Sequence, residues 1–313
     1  MGELANVSDG CGIMNTATLP TSNIAATDRA RRLYSYTNVH QPIPHPDAID
    51  AAAIRRFHED GFIAVENVLT QDEVAEYLKV IHETILADDG SLDVVHYEPG
   101  VDGSKLSPAE RVLAVRKLFK FVDKVPGLAR AAAHPVLMGI GQRLMEAELI
   151  LLQDMALLKP PGGGAEKPWH QDTAYFRIKP LDSVLGTWIA LDAATLDNGC
   201  MHAIPGTHKL GPQAHYHDRD CQLPDDRIDV SKDVAIPLKP GGAMFFSGLL
   251  WHGTPPNHSQ SRRQAMQYHY CTRAAAEMSR DEVFAMFRDR GGYAGCQGWA
   301  LKTPSRPMSE RAV

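Results

Sequence analysis

Apolar and polar positions fall into two regimes along the chain, with a change near residue 147. Before it, apolar residues recur every three or four positions, the period of a helix with one buried face. A helix is expected from about Asp47 to Phe57, stopped by Gly61 and followed by a short strand over 62–66. A second helix starts at Thr70, whose hydroxyl can serve the N3 amide while Glu73 reaches back as a capping box. Val74, Tyr77, Leu78, Ile81 and Ile85 form its buried stripe, and Asp88-Asp-Gly90 ends it. The stretch 108–122 reads as helical, and another helix follows Pro135, a residue suited to a first helical turn.

Beyond residue 147 the period shortens. The run 148–158 is apolar and strand-like, and Lys159-Pro-Pro-Gly-Gly-Gly164 reads as a loop. Short apolar runs then alternate with Gly, Pro and Asn at 184–191, 200–204, 234–238, 243–247 and 264–270. Many short strands separated by turns predict a double-sheet jelly roll. Residues 277–287 return to helical spacing. Residues 1–45, rich in Thr, Ser, Asn and Ala, read as a flexible arm that folds over the domain or over a partner subunit, which leaves a homodimer open. The expected organisation is this arm, a domain over 46–290 and a tail over 291–313.

Composition narrows the partners. Of 313 residues, 44% are hydrophobic and 22% charged, the profile of an ordinary globular protein. The net charge of −6, with both signs interspersed, argues against nucleic acid, which wants a basic face. A small anionic ligand needs only one or two local cations, so it stays open. Cys11, Cys200, Cys221, Cys271 and Cys296 are scattered and contain no CxxC pair, unlike a disulfide framework or a zinc knuckle. No apolar run is long enough to span a membrane, and the first residues lack the pattern of a secretory signal. A cytoplasmic, reducing setting is the expectation.

The chemistry concentrates in Trp169-His170-Gln171-Asp172. Residues two apart on a strand face the same way, so His170 and Asp172 can converge on one metal ion. His252 supplies a candidate third ligand. Two imidazoles and one carboxylate leave positions open for a cosubstrate and O2, the arrangement that suits non-haem Fe(II). Alone, His-x-Asp is weak, because a surface His beside a solvated carboxylate looks the same. Arg263, 11 positions beyond His252, adds a guanidinium able to grip a carboxylate through two bonds. Its neighbour Arg262 reads as a surface ion pair. His208, His215 and His217 lie in a polar stretch and read as loop residues rather than a second metal site. Cys200 and His202 can face a pocket or simply pack, and Tyr175 can touch substrate or fill core.

These residues sit in a recognisable order. Phe57-His-Glu-Asp-Gly-Phe-Ile-Ala-Val65 and Leu69-Thr-Gln-Asp-Glu-Val74 come first. His170-Gln-Asp-Thr-Ala-Tyr-Phe176, Gly186-Thr-Trp-Ile-Ala-Leu-Asp192, Asp197-Asn-Gly-Cys-Met201 and Ile204-Pro-Gly-Thr-His208 follow. Pro240-Gly-Gly-Ala-Met-Phe-Phe246, His252-Gly-Thr-Pro-Pro-Asn-His-Ser259 and Arg263-Gln-Ala265 close the series. Over roughly 57–273 the chain resembles the phytanoyl-CoA 2-hydroxylase family of Fe(II)/2-oxoglutarate oxygenases. The resemblance implies a mainly β fold with flanking helices, a double-stranded β-helix of the jelly-roll, cupin-like type. It implies iron held by His170, Asp172 and His252, with 2-oxoglutarate as cosubstrate beside O2. Arg263 and Thr254 would bind the distal carboxylate of 2-oxoglutarate, Trp188 and Met155 would line its site, and Lys117 would be a second cationic contact. Because a carboxylate stands at 172, where a halogenating relative carries a small residue, hydroxylation or desaturation of a small organic substrate is favoured. A metal hydrolase, or a non-catalytic metabolite-binding relative on the same scaffold, are the alternatives. The substrate is left open; residues 91–106 and 209–233, which match the family motifs least, are where its specificity should be sought.

Overall fold

The computed structural model describes residues 24–91, 93–98 and 100–287. Its first part runs α1 (Ile24–Leu33), β1 (Asn38–Val39), α2 (Ala51–Asp60), β2 (Phe62–Val65), α3 (Gln71–Leu86), β3 (Val95–Tyr97), α4 (Pro108–Ala114), β4 (Val115–Phe119), α5 (Pro126–Ala132) and α6 (Pro135–Met145). The second part is almost entirely strands: β5 (Leu149–Lys159), β6 (Lys167–His170), β7 (Ile178–Lys179), β8 (Val184–Ala190), β9 (Met201–Ala203), β10 (Tyr216–His217) and β11 (Cys221–Gln222). It continues with β12 (Val234–Ile236), β13 (Ala243–Ser247), β14 (His252–Thr254), β15 (Arg263–Thr272), β16 (Ala276–Glu277) and closes on α7 (Arg280–Phe287).

Two sheets carry the architecture. The major sheet has seven strands in the order β2-β13-β8-β15-β5-β4-β3, and the minor sheet five in the order β1-β12-β9-β14-β6. Alternation along the major strands sends one set of side chains to each face. Ile63, Val65, Leu118, Ile189, Phe245, Met266, Tyr268 and Tyr270 pack outward against Val74, Tyr77, Ile81 and Ile85 of α3 and against α5 and α6. Phe62, Ala64, Trp188, Met244 and Phe246 point inward and meet Met201, Ala203 and Ala235 of the minor sheet. This is the expected jelly roll, with the N-terminal helices backing one sheet. The capping box of α3 forms as expected, Thr70 N–H donating to Glu73 Oε2 at 2.8 Å.

Three expectations need correction. The stretch 108–122 is not one helix: α4 stops at Ala114 and the chain continues directly as β4. Val115 pairs with β3, Leu118 with both β3 and β5 and Phe119 with β5, so the sheet claims these residues from the helix, and the change turns Lys117 toward the interior. Of the expected flexible arm, residues 24–45 pack: β1 pairs parallel with β12, and Tyr34 stacks on Trp169 at 5.4 Å. Residues 1–23 and the tail 291–313 lie outside the described residues, as do Cys11 and Cys296. Cys200 is a buried free thiol, but Cys221 is disulfide-bonded, against the expectation of reduced cysteines. Among the described residues no helix is long and apolar enough to cross a membrane.

Candidate active site

β6 and β14 are hydrogen-bonded neighbours with His170 directly opposite His252, so the ladder itself sets the two imidazoles side by side. Their ring centroids are 4.3 Å apart. Each Nδ1 lies against a carbonyl two residues back, His170 donating to Pro168 at 2.8 Å and His252 to Leu250 at 3.0 Å. A carbonyl only accepts, so both Nδ1 atoms carry the proton and both Nε2 lone pairs face the cavity. Burial holds the His252 imidazole down to about 3, neutral and ready to ligate.

β6 ends at His170, and Asp172 opens a single 3-10 turn rather than continuing the strand. Gln171 is still extended, so its side chain turns the other way and binds the carbonyls of Gly211 and Leu249. His170 and Asp172 therefore share a face, as two-residue alternation predicts. Asp172 Oδ1 lies 3.2 Å from His170 Nε2, and Oδ2 lies 3.6 Å from His252 Nε2. Their ligand atoms all lie within 4.8 Å of one another, and the three residues are the one such group among the described residues.

Asp172 has a further partner that sequence reasoning missed. His269 Nε2 lies 2.6 Å from Asp172 Oδ2, and Gln267 Nε2 lies 3.3 Å from the same oxygen. Burial opposes ionisation of this carboxyl, but the histidines around it, His269 first, outweigh it and hold Asp172 well below the usual carboxylate range. The signal was available, since alternation from Arg263 along β15 puts Gln267 and His269 on the face of Arg263.

That face forms the wall of a cavity of about 610 Å³, which His170, Asp172, His252, Arg263, Thr254, Trp188, Met155 and Lys117 all line. Register explains the convergence. Gln267 of β15 is flanked by Trp188 of β8 and Met155 of β5, and Lys117 of β4 opposes Leu157 of β5. Thr254 follows His252 by two on β14. Gly186 holds the ceiling together: a Cβ there would lie 2.3 Å from the Phe246 ring, which packs against His252 at 4.7 Å.

Arg263 is 1% exposed, and its Nε and Nη1 have no hydrogen-bond partner. Its guanidinium stacks over Trp188 at 5.3 Å, and burial brings its pKa down to about 10, still cationic at neutral pH. Arg262 departs from its expected surface ion pair: it is half-buried, with Nε and Nη2 unpartnered. Lys159, which the strand boundary at 158 had left in a loop, opposes Arg263 across the β5–β15 ladder. It donates to the carbonyls of Thr254 and Pro255, and burial, with Arg263 beside it, pushes its pKa far below the ordinary range. Lys117 is brought down to about 8 by burial, then by Arg116 and Lys167.

The other histidines do not form a second metal site. His215 is buried and accepts the Gln171 N–H at 2.9 Å, His208 faces the His58 carbonyl, and His217 lines the cavity. His202 packs, bonded to the buried Asp233 at 2.9 Å.

The family model for phytanoyl-CoA dioxygenase matches residues 57–265. The chain belongs to the phytanoyl-CoA dioxygenase family. Membership makes it an Fe(II)/2-oxoglutarate-dependent dioxygenase, in keeping with its sequence motifs. Among its relatives is a phytanoyl-CoA dioxygenase domain-containing protein 1 homolog from Caenorhabditis elegans, 26% identical over 72% of this chain and 91% of that one. The peroxisomal phytanoyl-CoA dioxygenase of Rattus norvegicus is 26% identical over 69% of this chain and 67% of its own. Among solved structures, EvdO2 from Micromonospora carbonacea, complexed with 2-oxoglutarate, is 28% identical with a TM-score of 0.56, covering 74% of this chain and 94% of that one. EctD from S. alaskensis, solved with 2-oxoglutarate and 5-hydroxyectoine, shares the fold at 24% identity and a TM-score of 0.59, over 75% of this chain and 79% of its own.

Proposed function

We propose that His170, Asp172 and His252 hold the Fe(II), that Arg263 with Thr254 binds the distal carboxylate of 2-oxoglutarate, and that the enzyme hydroxylates or desaturates a small organic substrate. The observation that carries this reading is one cavity in which a buried two-His-one-carboxylate set shares its wall with a guanidinium lacking hydrogen-bond partners at Nε and Nη1. The donor set fits the metal: two imidazoles offering Nε2 and one carboxylate oxygen suit non-haem Fe(II). Bound there with 2-oxoglutarate and O2, the iron supplies C–H oxidation with release of succinate and CO2.

The residues do the positioning. Pro168 and Leu250 fix the imidazole tautomers, and His269 occupies Asp172 Oδ2 so that Oδ1 is presented to the metal. Arg263 offers a carboxylate the two-pronged contact it lacks in the protein, and Trp188 beneath it excludes water. Lys159 ties down the backbone at Thr254 and Pro255, and Thr254 lines the same cavity as Arg263. Met155 closes the wall, and Lys117 stands toward the outer end as a further cation.

The test is succinate release from 2-oxoglutarate with Fe(II) and O2 across a metabolite panel. Stimulation of succinate release by a substrate, together with an oxidised product, is the expected result. No turnover of 2-oxoglutarate by the iron-loaded chain would remove the reading.

A further inference from the structure

The cavity is graded from dry to wet. The side chains of His170 and Asp172 are 5% exposed, whereas those of Lys167, Asp220 and Arg116 are 29%, 25% and 39% exposed. These three mark the outer end, and Asp220 comes from the 209–233 segment in which specificity was to be sought. Asp220 Oδ2 serves two cations at once, Lys167 Nζ at 2.7 Å and Arg116 Nη2 at 3.3 Å. Its other oxygen accepts the Cys221 N–H. Lys117 lines the same end, close enough to Arg116 and Lys167 to be pushed down by both.

Glu166 and Glu98 also line the cavity. Glu166 is held by Arg219 at 2.6 Å and by Arg29 at 3.9 Å, both outside the cavity lining. Burial raises the pKa of Glu98, and Arg116 and Lys159 oppose that rise. Among the described residues, Arg116 and Lys167 both engage one carboxylate, that of Asp220. Lys167 also touches Tyr175 Oη at 2.6 Å, and the Tyr175 ring stands edge-on to His170 at 6.0 Å. The cationic end is thus one side chain away from the proposed metal ligands. Phe119, Leu157, Phe176 and Met201 line the space with apolar surface.

We infer that the substrate carries an anionic group, a carboxylate or a phosphate, which is bound at the outer end of the cavity by Lys167 and Arg116 alongside Asp220. The inference rests on the oxygenase reading only in calling that ligand the substrate; the anion site stands on its own geometry. Two partly exposed cations that share one carboxylate gain from an incoming anion and lose that gain as salt rises.

Calorimetric titration of the metal-free full chain with hexanoate, hexyl phosphate and neutral hexanamide tests this. One of the two anions should bind at least about tenfold more tightly than the amide, a difference readable at equilibrium. The preferred anion distinguishes the carboxylate source from the phosphate. Lys167→Gln and Arg116→Gln should each bring the ratio toward unity. Asp220→Asn should raise anion affinity, a gain that misfolding cannot imitate. Equal binding of the three probes, binding of none, a ratio that survives both cation substitutions, or weaker anion binding in Asp220→Asn would each overturn the inference. Loss of iron-dependent succinate release with the ratio intact would instead remove the oxygenase assignment and leave the anion site standing.

Discussion

The two ends of the cavity handle positive charge in opposite ways. At the inner end Arg263 is 1% exposed and leaves Nε and Nη1 without partners. At the outer end Lys167 and Arg116 are a quarter to two fifths exposed and both engage Asp220. A buried, unpartnered guanidinium is costly to the fold, since neither water nor a carboxylate repays its desolvation. Such a group persists where a ligand completes it. Paired, partly solvated charges cost little and contribute little, so they adjust which ligand enters rather than whether one does. The buried guanidinium on the cavity wall marks an obligatory ligand group, and the shared, solvated charges mark a selective one.

Substitutions at five positions would break or sharpen that contrast. The largest effect is expected from Asp172→Ala, which removes a charge and a bond from the proposed metal set. Succinate release should collapse even with excess Fe(II), with folding little changed as judged by circular dichroism. Unchanged turnover would place the metal elsewhere. Next comes Arg263→Ala, for which titration of 2-oxoglutarate should show a loss of about 2–5 kcal/mol, the cost of stripping a buried carboxylate of its partner. Its neighbour Arg262→Ala should cost little in the same titration, and the reverse order would mean that the wrong arginine has been assigned.

His269→Ala tests the support beneath the metal set. Losing a hydrogen-bond partner of a ligand typically costs about 10–100-fold in metal affinity or activity. Fe(II) titration should fall within that range, and His269→Gln should recover part of the loss. No change in either variant would make His269 a packing residue. The smallest effect belongs to the outer end: Arg116→Gln should alter unfolding free energy by less than about 1 kcal/mol, as befits a half-exposed pair. A larger loss in denaturant titration would show the outer charges to be structural.

Much of this was legible in the chain, and the misses have physical causes. The strand 243–247 coincides with β13, the other predicted strands overlap β5, β8, β9, β12 and β15, and His170, Asp172, His252 and Arg263 line one cavity. Two-residue alternation and the family motifs are local features, so they survive without coordinates. The helix-to-strand change at Val115 is decided by pairing with β3 on one side and β5 on the other, and no local period announces it. Lys159 was missed for a similar reason, because Pro160-Pro-Gly marks a turn but does not say that the strand runs up to it. His269 is a different case: it lies on a correctly predicted strand and on the predicted face, and only the spacing from Arg263 had to be followed further.

The most direct test of the central claim is the visible spectrum of the anaerobic chain with Fe(II) and 2-oxoglutarate. The account predicts a weak charge-transfer band from the iron–oxo-acid chelate in the parent, absent in both His170→Ala and His252→Ala. In Arg263→Ala the band should appear only at much higher 2-oxoglutarate. A band that persists in both histidine variants would contradict the assignment of this site.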